Sequence, residues 1–150
     1  MANTQAVCTS FKVELLTGTH ALGTTVVRAG TTADTIKAAL YLTSATVNAS
    51  TTAYSATGEV TGSGYSAGGV TVTNATAPTS SGTTAYWTPS ASIVYATVTV
   101  GPTDCVLLYN STQSNKAIAA YTFSSQTVTA GTLTLTMPTN DSSNALLRLS

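Results

Sequence analysis

Threonine constrains the fold of this chain more than any other residue, because it occupies 33 of the 150 positions. Its β-branched side chain loses rotamer freedom in a helix and packs well on a pleated sheet. The long polar residues that favour helices, Glu, Lys, Gln and Arg, together fill only ten positions. This composition predicts an all-β fold.

Short alternating apolar segments separated by turn residues predict about eight strands. With 150 residues, 43% of them hydrophobic, the chain is long and apolar enough for one folded domain. We therefore expect an N-terminal arm over residues 1–10 and a single jelly-roll-like β-sandwich over residues 11–150. The candidate strands are Phe11 to Leu16, Ile36 to Leu42, Val70 to Thr73, Ala91 to Val100, Cys105 to Asn110, Lys116 to Phe123, Leu133 to Met137 and Ala145 to Leu149, with a further short strand at Val26 and Val27.

The strand near residue 95 is predicted to alternate, with its valines turned towards the core and its threonines towards solvent. A glycine-rich segment over residues 58–69 predicts sharp turns and β-bulges between strands. The predicted core is Val94, Ala96, Val98, Leu107, Ile118, Leu133 and Leu135.

Charge is scarce, since only 7% of residues are charged and five basic residues balance five acidic ones. Soluble domains usually carry about 25%. The chain therefore has no electrostatic footprint for nucleic acid or for an acidic membrane surface, and no apolar run is long enough to predict a membrane-spanning helix. A surface with so few charges is poorly protected against self-association, which favours a role inside an assembly.

The N-terminal segment predicts neither export nor a metal site. Residues 1–5 contain neither the basic nor the apolar region of a secretory signal, so we expect synthesis in a cytosol. Cys8 and Cys105 are far apart in the sequence and have no neighbouring Cys or His, which argues against metal ligation. Two buried free thiols are the favoured interpretation, and a disulfide tying the N-terminal segment to a core strand is the alternative.

The residues able to perform acid, base or nucleophilic chemistry form no recognisable catalytic motif. The candidates are Glu14, His20, Asp34, Glu59, Asp104 and Asp141. The sequence has no Gly-x-Ser-x-Gly segment that would supply a serine nucleophile for the only histidine, His20. A position of His20 in a loop or at an interface is therefore favoured. Glu59 and Asp104 could meet as a glycosidase pair, but no motif supports this. We predict that the chain is not an enzyme and has no catalytic residues, cofactor or metal.

Aromatic and leucine side chains are the candidates for binding. Tyr54, Tyr65, Tyr86 and Trp87 could stack on a sugar, although an aromatic pair before Pro89 is more typical of a core or interface anchor. The apolar C-terminal segment is typical of a docking segment. We predict partner contacts through Tyr65, Tyr86, Trp87, Leu146, Leu147 and Leu149.

An ordered set of short segments resembles a known group of proteins. The segments are Ala38 to Tyr41, Gly58 to Tyr65, Trp87 before an alternating strand, Cys105 to Asn110, Lys116 to Tyr121 and Val128 to Leu133. Over roughly residues 36–137 this set resembles small virion proteins of tailed bacteriophages, of the cement, decoration or tail-fibre-like type, in which an E-V-x-G-x-x-Y turn follows the first of these strands. Two departures are visible: Tyr65 precedes Ser66-Ala67-Gly68-Gly69 where Ala and Arg are common, and a strand is predicted at Phe11 where a helix-like segment is common.

The resemblance implies a jelly-roll or similar β-sandwich, many copies per particle and no cofactor. It also implies a location in the virion, assembled in the cytoplasm of the bacterial host. The expected partners are the major capsid protein and further copies of the chain, as a homo-oligomer within a symmetric assembly and without nucleic acid or membrane. The expected function is that of a capsid decoration or cement protein, and the alternative is a tail or fibre component that binds a host glycan.

Overall fold

The computed structural model describes residues 3–8, 10–11, 15, 19–23, 33–73, 75–82 and 84–149. In these residues it confirms an all-β fold with eight strands in two antiparallel sheets, consistent with a single-domain β-sandwich. The strands are β1 (Ala6–Val7), β2 (Ile36–Leu42), β3 (Val70–Thr71), β4 (Thr79–Ser81), β5 (Thr84–Trp87), β6 (Ile93–Asn110), β7 (Lys116–Leu135) and β8 (Leu147–Leu149). No helix in the described part of the chain is long and apolar enough to cross a membrane.

One sheet has the strand order β1-β7-β6-β2-β3, and the other has the order β4-β5-β8. The centre of the first sheet is the hairpin of β6 and β7, which are 18 and 20 residues long. Its turn uses Ser114 and Asn115 at positive φ, a conformation that Asn tolerates better than most residues. Each long strand covers two strands that the sequence predicts separately. The turn residues between them are Gly101-Pro102 in β6 and Ala130-Gly131 in β7, and they lie within the long strands without ending them.

The second sheet contains a hairpin that the sequence analysis did not predict. Strands β4 and β5 flank Gly82, which has a φ of 57°. Ser80, Ser81 and Gly82 are residue types typical of turns. The sequence therefore indicated a turn here and did not indicate the strands on either side of Gly82. The predicted C-terminal strand is confirmed over Leu147–Leu149, where it pairs with β5.

The predicted core is correct at four of its seven positions. Val98, Leu107, Ile118 and Leu133 are buried and Leu135 is half-buried, whereas Val94 is 46% exposed and Ala96 is also exposed. The prediction for Val94 and Ala96 is wrong because a register shift separates Tyr95 from Val98. Thr97 at a φ of 54° marks this irregularity. A bulge changes which residues face the core, so Ile93 and Tyr95 are buried before it and Val98 after it.

The strand predicted at Phe11 to Leu16 is wrong where it can be compared. Ser10, Phe11 and Leu15 have helical backbone, and Phe11 is fully buried. A spacing of four places Phe11 and Leu15 on the same face of a helix, so the apolar pattern fits either conformation. Residues 12–14 and 16, and the short strand predicted at Val26 and Val27, lie outside the described residues.

The described part of the predicted N-terminal arm lies against the domain. Strand β1 pairs with Ala119 and Ala120 of β7, and the Asn3 amide donates to the Asp104 carboxylate at 2.7 Å and to the Leu42 carbonyl at 3.1 Å. Cys8 and Cys105 are both buried and are not joined to each other by a disulfide. Burial raises the pKa of the Cys105 thiol to about 12, which keeps it protonated.

Candidate functional site

The Glu59 carboxylate is buried, and both of its oxygens accept hydrogen bonds from within the protein. Its Oε1 accepts hydrogen bonds from the Tyr65 hydroxyl and the Gly68 amide, and its Oε2 accepts one from the Tyr54 hydroxyl, each at 2.7 Å. A carboxylate that accepts three good hydrogen bonds is satisfied without a ligand. Glu59 therefore organises the glycine-rich segment 58–69 and is poorly placed to act as an acid or base on a substrate.

Five tyrosines surround Glu59 and hold the strands together. The hydroxyl of Tyr95 donates to the Ala38 carbonyl at 3.0 Å, and that of Tyr109 donates to the Gly68 carbonyl at 2.8 Å. The Tyr54 ring stacks on Tyr109 at 4.8 Å, and the Tyr65 ring stacks on Tyr95 at 6.0 Å. We call Glu59 with Tyr41, Tyr54, Tyr65, Tyr95 and Tyr109 the tyrosine cluster.

The electrostatics of the tyrosine cluster keep its phenols neutral. Burial raises the pKa of Tyr41 to about 12, with a further increase from the nearby Glu59 carboxylate. Burial, and then the hydrogen bond to Glu59, also raise the pKa values of Tyr54 and Tyr65. None of these phenols is activated as a base, because activation needs a lowered pKa.

Asp34 forms a second internal network. Its Oδ2 accepts from the Ala21 amide at 2.9 Å and from the Asn110 side chain at 2.7 Å, which also lies 3.0 Å from Nδ1 of His20. The His20 ring packs edge-on against Phe11 at 4.8 Å. His20 and Asp34 thus meet through Asn110, but no serine or cysteine nucleophile takes part in the described network.

The remaining acidic candidates also have structural partners. Asp104 receives the Asn3 amide, and Asp141 accepts from the backbone amides of Ser143 and Asn144 at 2.8 and 2.7 Å. Hydrogen bonds from Asn144 and from these amides lower the pKa of Asp141. Glu14 lies outside the described residues. No group of three or more His, Cys, Asp or Glu side chains that could hold a metal ion occurs in the described part of the chain.

Four of the six residues predicted to contact a partner come together on the second sheet. Strands β5 and β8 pair Tyr86 with Arg148 and Trp87 with Leu147. Tyr86, Trp87, Leu147 and Leu149 then line one cavity of about 150 Å³, together with Leu15, His20, Leu22, Pro78 and Ala85. We call this the small-sheet cavity. Among the residues that the structure describes, its lining contains no Asp, Glu, Lys or Arg.

Access to the small-sheet cavity differs among these residues. Leu149 is 41% exposed and Tyr86 is half-buried, whereas Leu147 is buried and Trp87 is only 2% exposed. The Trp87 indole N–H donates to the Thr76 carbonyl at 3.0 Å. Trp87 is therefore a core residue with little surface to offer a partner or a sugar, and Leu149 and Tyr86 form the accessible part of the site. Tyr65 lies elsewhere, in the tyrosine cluster.

A larger apolar groove is a feature that the sequence analysis missed. It has a volume of about 320 Å³ and runs along the end of the long hairpin. Its lining is Ile93, Val106, Leu108, Tyr121, Thr122, Phe123, Thr134, Leu135, Thr136, Met137 and Leu146. We call it the hairpin groove; only Leu146 was a predicted contact residue. The alternation of Leu133, Leu135 and Met137 was the available signal, but nothing in it shows that this end of β7 lies beside Tyr121 and Phe123.

No protein-family model, characterised protein or solved structure matches this chain. The function must therefore be argued from the residues, the fold and the resemblance of the short segments.

Proposed function

We propose that this chain is a non-enzymatic structural protein of a tailed-bacteriophage virion, acting as a decoration or cement protein on the head shell. It would bind the major capsid protein and further copies of itself, in a particle assembled in the bacterial cytoplasm. The proposal combines the ordered segments between residues 36 and 137 with the character of the accessible sites.

The observation that carries the proposal is a contrast between buried polar groups and apolar sites. Glu59, Asp34 and Asp104, which could serve catalysis, all accept hydrogen bonds from within the chain. The small-sheet cavity and the hairpin groove, by contrast, are lined mainly by apolar side chains, and none of their described lining residues is Asp, Glu, Lys or Arg. Apolar, charge-free recesses suit the insertion of a partner's side chains, because interface cores are depleted of charge.

The composition supports contacts that depend little on ion pairs. The chain has five basic and five acidic residues in total. Screening by salt weakens only charge interactions. Binding to the shell should therefore persist across a salt series from low to moderate ionic strength, and a steep loss of binding would show that charge drives it.

The location is tested by counting the chain in purified virions of the phage that encodes it. A decoration protein should be present in hundreds of copies per particle by quantitative mass spectrometry. A dozen or fewer copies would favour the alternative, a tail or fibre component that recognises a host glycan. Absence from purified virions would contradict both.

The contact site is tested by returning purified variants to particles that lack the protein. Leu149→Ser should weaken binding about tenfold, because full burial of a leucine contributes about 1.5–3 kcal/mol and a tenfold change corresponds to about 1.4 kcal/mol. Val94→Ser is the matched control, since Val94 is the other large apolar residue with similar exposure, 46% against 41%. Equal binding by both variants would show that the small-sheet cavity is not the contact site.

A further inference from the structure

The two outer edges of the long hairpin differ in how much of each edge is paired with other segments of the chain. On the β6 side, β2 pairs with residues 103–110, and the Thr99 amide donates to the Ser63 carbonyl at 2.8 Å. The glycine-rich segment approaches so closely that a Cβ at Gly62 would collide with the Thr99 carbonyl oxygen. The β6 edge is therefore largely covered by the chain itself.

The outer edge of β7 is covered only near the hairpin turn. Ala53 bridges Lys116, the Ala117 amide donates to the Thr52 carbonyl, and β1 pairs with Ala119 and Ala120. From residue 121 to residue 135, no other described segment pairs with this edge. We call residues 121–135 the open edge.

The open edge lacks the charges that usually protect an edge strand against pairing. Natural edge strands carry lysine or other charged residues, proline, or β-bulges that hinder the addition of a second strand. Residues 121–135 contain no charged residue and no proline and are rich in Ser and Thr. Bulges are present, because the register with β6 shifts between Val98 and Val100 and between Thr103 and Cys105, and Ala130 has a φ of 48°. Residues 124–127, 129 and 130 are exposed. Unpaired backbone donors and acceptors on such an edge are a template for another strand.

We propose that the open edge pairs antiparallel with the same edge of a second copy of this chain, about a two-fold axis. This inference rests on the proposed function, which includes contacts between copies of the chain. It identifies the surface through which two copies would pair. Two identical strands related by a two-fold axis present the same residues to each other. An uncharged edge can do this without juxtaposing like charges, and Ser and Thr side chains can hydrogen-bond across the strands.

The size of the open edge suits a dimer. At about 3.3 Å per residue, fifteen residues span roughly 50 Å. Pairing over the central ten residues would form at most about ten backbone hydrogen bonds, and fewer where the bulges near Gln126 and Ala130 interrupt the ladder. Tyr121, Phe123 and Leu135 belong both to the open edge and to the hairpin groove. Apolar area is therefore available beside the hydrogen bonds.

The test uses the purified chain alone, so that its outcome is independent of the virion experiments. Sedimentation over a concentration series should show a monomer–dimer equilibrium. In one variant Ser125 and Thr129 both become Lys, and in a second both become Glu. These residues are exposed and make no side-chain hydrogen bond in the described structure. Thr46→Lys, at an exposed site outside the strands, is the control.

Each double variant should raise the dimer dissociation constant tenfold or more, because four like charges then meet at the axis. Mixing the Lys and Glu variants should restore dimers, since opposite charges now face each other. Contact between the same region of both copies predicts this rescue, whereas contact of the open edge with a different surface does not. Amide hydrogen exchange in residues 124–132 should also slow as the concentration of the unaltered chain rises, whereas exchange in β2 should not change.

Two outcomes would overturn the proposal. The unaltered chain could remain monomeric at all accessible concentrations, or its dimer could survive in both double variants. If the unaltered chain is monomeric and the double variants also lose shell binding, a strand of the shell protein occupies the open edge. If the dimer behaves as expected but the chain is absent from virions, the edge pairing stands and the proposed function fails.

Discussion

The long hairpin has two halves that differ in edge pairing and in burial. The inner half, residues 103–110 with 116–122, has β2 along one edge and β1 with residues 52–53 along the other, and most of its side chains are buried on both faces. The outer half, residues 93–102 with 123–135, has one open edge and alternates between buried and exposed residues along β6. The same two strands thus supply the core at one end and an accessible edge at the other.

Sequence patterns reflect this difference. The inner half contains uninterrupted apolar runs such as Val106-Leu107-Leu108-Tyr109 and Ala117-Ile118-Ala119-Ala120, which are typical of strands buried on both faces. The outer half alternates Thr with Val or Leu, which is typical of strands with one solvated face. The comparison teaches that within one hairpin the stabilising and the accessible regions can be separated along the strands.

Alkaline pH should produce the largest effect, because the tyrosine cluster joins the two halves through Tyr109 and Tyr95. The pKa of Tyr41 is raised from 10.0 to about 12, and those of Tyr65 and Tyr95 are raised as well. A group whose pKa is raised on folding contributes stability that is present below the unfolded pKa and is lost as the pH rises. We expect the free energy of unfolding to fall steeply between pH 10 and 12.

The measurement is tyrosinate absorbance followed together with circular dichroism during an alkaline titration. The phenols of the tyrosine cluster should ionise in step with loss of the β signal. Ionisation of all the tyrosines near pH 10 with the fold intact would contradict the structure of the cluster.

Shortening a core leucine should produce the next largest effect and should separate the two halves. Leu107 is fully buried in the inner half, so Leu107→Ala should reduce the free energy of unfolding by about 2–5 kcal/mol, through lost burial and a residual cavity. Val94→Ala in the outer half should change it by about 0.5 kcal/mol or less, since Val94 is largely exposed. Urea unfolding measures both. Similar losses would contradict the exposure of Val94.

Adding a methyl group should distinguish the covered edge from the open edge. Gly62→Ala would force a Cβ against the Thr99 backbone and should cost about 1–3 kcal/mol, as overpacking generally does. Gly131→Ala on the open edge would place its Cβ 3.1 Å from the Val128 Cγ1, a side-chain atom that can move, and 3.7 Å from the Thr129 carbonyl oxygen, an ordinary contact. Its cost should be about 0.5 kcal/mol or less. Thermal unfolding of the two variants checks this, and an equal cost would contradict the close approach at Gly62.

The sequence predicted the fold class and much of the strand positions, but it predicted the site only in part. Strand β2 is confirmed over Ile36–Leu42, a seven-residue segment that is apolar except for Lys37 and alternates Ile36, Ala38, Leu40 and Leu42 on one face. The pairing of β5, which contains Tyr86 and Trp87, with β8, which contains Leu147 and Leu149, was not predicted, although these four residues were candidates for contact. That pairing joins residues about sixty positions apart, and no local pattern specifies it.

Composition and periodicity by themselves determined that this chain forms strands, that it buries an apolar core and that its surface carries few charges. These properties follow from the side chains and hold in any arrangement of the strands. The tertiary structure alone decided which residues face inwards across the bulge after Tyr95, and it placed Glu59 among five tyrosines. It also decided that the β6 edge is covered while the β7 edge is open. The physical reason is that bulges, long-range pairings and close backbone approaches are set by contacts between distant segments, which a local pattern does not encode.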